Sequence, residues 1–205
     1  MEVAMHRSFR LSLVPLALSL ALPAAAQEAA PAAPSPEEQA MMEAYQKAAT
    51  PGPQHARMAE AVGTFDMVVK SWQAPDAPPT TDTGVSTRRM VLGGRVMVEE
   101  AKATMMGQPF DGLGLHGFDN VSGRWWATWN DSVGTGLMVA EGDCDDQGAC
   151  TFTGSWNDPV TKGKVTARMT SHWTDANTEI FEMHGPGPDG KEMKMMQITY
   201  TRRAQ

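Results

Sequence analysis

Among the residues able to do chemistry, His116 stands out, because it lies in a Gly-rich segment that precedes a tryptophan-bearing one ending at Asp131. Were the two segments neighbouring strands, an imidazole and a carboxylate on one face could act as a base and its orienting partner. No spacing demands that pairing, and no G-x-S-x-G nucleophile motif accompanies it. His55, His172 and His184 have no comparable setting. The sequence therefore favours binding over catalysis, with His116 and Asp131 as the weak catalytic candidates.

Aromatic and thioether side chains carry the binding alternative. Trp125, Trp126 and Trp129 crowd one short segment. Alternation would put Trp125 and Trp129 on one face and Trp126 on the other. Either Trp126 or Trp129 could stack on a ligand, although rings of this size also fill cores. Sixteen methionines are present, Met97, Met169, Met183 and Met196 among them. Flexible thioethers suit packing first and an adaptable apolar cavity second. They are scattered, with no repeated Met-x-x-Met tract, which argues against copper and leaves the sequence with no metal site and no cofactor. Trp126, Trp129, His116 and Met97 are the candidate contacts for a small apolar ligand.

Cys144 and Cys150 flank the turn-rich run Asp145-Asp146-Gln147-Gly148-Ala149. No second pair completes a zinc set, and C-x₅-C is not the redox spacing. A disulfide is expected, provided that the chain is exported.

Export is what the first residues indicate. His6, Arg7 and Arg10 precede an apolar stretch from Leu11 to Leu22, and Ala24-Ala25-Ala26 follows Pro23. Basic region, apolar region and A-x-A site are the order of a cleavable signal peptide over residues 1 to 26. About a dozen apolar residues fall short of the roughly twenty that span a bilayer, so no membrane anchor is expected after cleavage. The destination is the periplasm or the exterior. The formal charge of −7 repels phosphate backbones, which excludes nucleic acid as an expected partner. Oligomeric state is not legible.

Residues 27 to 36 are Ala- and Pro-rich, a linker. Ser35-Pro36-Glu37-Glu38 has the composition of a helix start, and Thr50-Pro51-Gly52-Pro53 that of a stop. A helix over 37–52 follows, with Met41, Met42 and Tyr45 spaced to rest it on the domain. From Pro53 to Arg203 apolar residues recur at every second position, interrupted by turn formers such as Gly93-Gly94, Asp119-Asn120 and Pro188-Asp189-Gly190. About ten strands linked by hairpin-length turns predict an all-β, single antiparallel up-and-down barrel. Closure removes the two edges an open meander would expose. A two-sheet sandwich is the alternative.

Several motifs occur in order along this region: Gly63-Thr64-Phe65, Leu92-Gly93-Gly94-Arg95, the run from Gly107 to Gly114, Gly117-Phe118-Asp119-Asn120, Trp129-Asn130-Asp131-Ser132 and Tyr200-Thr201-Arg202. Together they resemble the bacterial DUF1579 family over roughly residues 53–203. The resemblance implies a calycin-like, lipocalin-like barrel and brings no catalytic residues with it. Phe65 stands where calycins often carry a tryptophan. The functional expectation is an exported barrel that binds a small apolar ligand in its interior or at its mouth. The alternatives are a hydrolase- or isomerase-type site at that mouth and a non-catalytic protein-interaction module.

Overall fold

The computed structural model describes residues 33–204. The expected signal peptide lies outside the described residues, as does most of the linker.

Two helices precede the sheet. In α1 (Pro36–Ala49) the Ser35 hydroxyl accepts from Glu38 N at 3.3 Å, and Glu38 Oε2 accepts from Ser35 N at 2.7 Å. That reciprocal cap fixes the start where Ser-Pro-Glu-Glu announced it. Met41, Met42 and Tyr45 are nonetheless all exposed, so the expected seating of α1 on the domain does not occur. The helix is held by its C-terminal carbonyls instead: Asn120 Nδ2 donates to Thr50 O at 2.8 Å and Arg95 Nε to Ala49 O at 2.9 Å.

A second helix, α2 (Pro53–Glu60), occupies residues expected to lead directly into the barrel. Gly52 N donates to His55 Nδ1 at 3.1 Å, a histidine standing where a capping acid usually does. His55 and Met58 are buried, and the His55 ring meets Phe118 edge-on at 6.1 Å. Arg57 donates to Asp145 O at 2.6 Å, and Arg202 donates to Glu60 O at 2.8 Å. One distant turn and the last strand thereby clamp α2 across one end of the sheet.

Ten strands follow: β1 (Gly63–Ser71), β2 (Thr80–Val91), β3 (Val96–Met105), β4 (Gln108–Asp119), β5 (Arg124–Asp131), β6 (Met138–Cys144), β7 (Cys150–Asn157), β8 (Lys164–Asp175), β9 (Thr178–Pro186) and β10 (Glu192–Arg202). Each pairs antiparallel with its sequence neighbour, and β1 pairs with β10 from Phe65↔Arg202 to Ser71↔Met196. The barrel is closed, and the sandwich alternative is excluded.

Register decides which residues look inward. Phe65, Met67 and Val69 on β1 are buried and lie opposite Ser86, Gly84 and Asp82 on β2. Ser86 and Arg88 lie opposite Ala101 and Glu99 on β3, and Met97 and Glu99 opposite His116 and Gly114 on β4. His116 and Gly114 lie opposite Ala127 and Trp129 on β5. A core of Phe65, Met67, Val69, Ala101, Ile198 and Tyr200 fills the β1 side, with Trp129, Trp173 and Phe181 packed against it. Burial of each of Phe65, Met67, Val69 and Ile198 contributes about 1.5–3 kcal/mol.

Candidate functional site

The inward face carries a cluster of charge where alternation alone would place apolar residues. Glu99 is buried between two inward neighbours, Met97 and Ala101. Arg88, 5% exposed, is its cross-strand partner. Arg88 Nε stands 3.4 Å from Glu99 Oε1, and Arg88 Nη1 donates to Glu179 Oε2 at 2.6 Å. The guanidinium also lies 4.8 Å from the Phe65 ring centroid and 4.4 Å from that of Tyr200. Such stacking suits the weakly hydrated, planar arginine better than it would a lysine.

Ser86 completes the floor by donating its hydroxyl to Glu99 Oε1 at 2.7 Å, and the second carboxylate oxygen lies 3.2 Å from His116 Nε2. Burial alone would raise the Glu99 carboxyl. The charge of Arg88, the His116 ring and the Ser86 hydroxyl together outweigh it and hold the group well below the usual carboxylate range. Burial would likewise lower Arg88, but Glu99 and Glu179 hold it charged. Burial pushes the Tyr200 phenol up, reinforced by the charge on Glu99.

His116 is the member of this cluster that solvent reaches, its side chain being 31% exposed. Glycine makes its position possible: a Cβ on Gly114 would lie 3.0 Å from His116 Nε2 and 3.2 Å from the Trp129 ring. Gly112 is covered by the same indole, so Trp129 lies flat along β4 just beyond the imidazole. On the other side of His116 the next inward residues are Phe118 and its partner Trp125, with ring centroids 5.3 Å apart. A cleft of about 180 Å³ beneath α2 is lined by Phe118 and Trp125 together with Gln54, Arg57 and Asp143.

The proposed partner of His116 needs correction. Asp131 faces inward, but it lies opposite Gly112, four residues along β4 from His116, which is about 13 Å at 3.3 Å per residue. Its carboxylate instead accepts from Trp129 Nε1 and from Val133 N, each at 3.1 Å. Glu99 takes the role expected of Asp131. Trp126 also departs from the ligand-contact expectation, since it stands on the outer face with its indole over Gly117. Trp129 faces inward, and Met97 is buried opposite His116 as part of the wall.

Cys144 and Cys150 face each other across the β6–β7 turn and are bonded. Among the described residues no group of three His, Cys, Asp or Glu stands together as a metal site, and no helix is long and apolar enough to cross a membrane.

Sequence reasoning passed over Glu99, Arg88, Glu179 and Ser86. A signal was present: Ser86 and Arg88 share the phase of Gly84 and Met90, and Glu99 that of Met97 and Ala101. A charge in phase with inward apolar residues has to be paired, because an isolated buried charge is too costly to keep.

Residues 50–202 match the family model described as a protein of unknown function, DUF1579. No curated protein matches the chain. Among solved structures, that of Rv2717c from M. tuberculosis is similar over 76% of this chain and all of its own, with a TM-score of 0.59 at 11% identity. At that identity the likeness concerns the barrel alone.

Proposed function

We propose, on the premise that this chain belongs to the DUF1579 family, that the protein binds a small, largely apolar molecule inside its barrel, in contact with His116. The observation that carries this reading is the half-buried imidazole. It points inward, is fixed by a buried carboxylate, and is bordered by Trp129 and the Phe118–Trp125 pair. Ligand sites combine apolar walls with a few fixed polar groups. Structural packing alone does not require a charged network to end on a solvent-reached ring.

The disulfide and the leader-like first residues support a location outside the cytoplasm. Catalysis is the second reading, with Glu99 in place of Asp131 as the orienting group. Binding is favoured over it because, among the described residues, no hydroxyl or thiol bonds His116 and both cysteines are in the disulfide.

Native mass spectrometry of protein purified from its host envelope tests the proposal, together with titration of the emptied protein with Nile red. A co-purifying small molecule, or a saturable fluorescence rise weakened in Trp129→Leu, is expected. Saturable binding that Trp129→Leu leaves untouched would place the ligand elsewhere, and no binding by either assay would sink the reading.

A further inference from the structure

The arrangement around Glu99 fixes what His116 can offer a ligand. Glu99 Oε1 receives the Ser86 hydroxyl at 2.7 Å and faces Arg88 Nε at 3.4 Å, while Oε2 faces His116 Nε2 at 3.2 Å. A proton on Oε2 could bond His116 Nε2, but it would leave the buried Arg88 guanidinium without the carboxylate charge that faces it. The carboxylate is therefore ionised and accepts from every neighbour. An acceptor-only group opposite Nε2 requires Nε2 to carry the ring hydrogen. In the neutral ring Nδ1 then has the free lone pair. Nδ1 has no hydrogen-bond partner among the described residues and is not among their buried unpartnered atoms.

We infer that the barrel selects an apolar molecule bearing a hydrogen-bond donor, a hydroxyl above all, which it places on His116 Nδ1. This rests on the proposed binding site and adds to it the polarity of the ligand. A ligand whose only polar group is an ether or ester oxygen would meet a lone pair with a lone pair. A carboxylate would add a second negative charge within reach of Glu99. A hydroxyl satisfies the nitrogen while its hydrocarbon part lies against Trp129.

Matched probes test this: 4-butylphenol, 4-butylanisole and 4-butylbenzoate, each titrated by calorimetry and by displacement of Nile red. The phenol is expected to bind on the order of fivefold to tenfold tighter than the anisole, the size of one net hydrogen bond. His116→Phe should reduce that ratio below twofold while the anisole still binds. Should His116→Phe not fold, the probe ratio in the unaltered protein decides the matter. Equal binding of phenol and anisole, or tightest binding of the benzoate at pH 9, overturns the inference while leaving the binding site standing. If neither Nile red nor any probe binds, the site itself falls and the inference with it.

Discussion

Glu99 and His116 meet at 3.2 Å inside the barrel, and the same carboxylate is the cross-strand partner of Arg88. One buried group thus joins the structural ion pair to the solvent-reached ring. Removing its charge would strand Arg88 with Glu179 alone. Glu99→Gln is therefore expected to lower the unfolding free energy by about 3–5 kcal/mol, the usual result of breaking a buried pair from one side. Urea denaturation at pH 7 measures it, and a loss below about 1 kcal/mol would contradict the network described.

Acid should act through the same residue. The folded carboxyl of Glu99 is held below its ordinary value of 4.5, so the unfolded chain takes up the proton first as pH falls. The stabilisation is complete above the ordinary value and is lost progressively below it. Several surface carboxylates, Asp66 beside Arg203 among them, are lowered too and contribute to any acid sensitivity. The difference between proteins isolates the buried group: between pH 5 and 3 the unaltered protein should lose stability more steeply than Glu99→Gln. Parallel curves would mean that Glu99 does not carry the effect.

The barrel was legible because it is written in local terms. Alternation and turn residues are read within a few positions, and β5 and β10 begin and end where their side-chain pattern does. Asp131 was misassigned because reach along a strand depends on register. Nothing local shows that Gly112, and not His116, lies opposite it. The role of Glu99 depends on β2, β3, β4 and β9 meeting in space, with Arg88 and Glu179 separated by 91 positions. Helix α2 was missed for another reason: its Pro-Gly-Pro start has the composition of a breaker, and the contacts that hold it come from Asp145 and Arg202.

The disulfide ties a turn that also carries part of the clamp on α2, since Arg57 donates to Asp145 O within the bridged loop. The loop is short, and the chain-entropy model gives about 2 kcal/mol for its closure. Cys144→Ser/Cys150→Ser should remain folded, with its melting temperature lowered by about 4–8 °C for a domain of this size. A collapse of the fold would show that the bridge holds more than one hairpin.

Glycine at position 112 should prove as necessary as any apolar residue nearby. The Trp129 indole rests on β4 over the place where a Cβ would stand, and its Nε1 is tied to Asp131 at 3.1 Å, so the ring cannot simply swing away. Gly112→Ala would force ring or strand to move, an overpacking cost of about 1–3 kcal/mol. Because Trp129 also borders His116 through Gly114, the displacement should reach the proposed ligand position and weaken Nile red binding. Gly117→Ala offers the comparison: it meets Trp126 on the outer face, where a similar loss of stability is expected with binding unchanged. Urea denaturation and Nile red titration of the two variants separate the faces. Equal effects on binding would contradict the assignment of Trp129 to the lumen and Trp126 to the exterior.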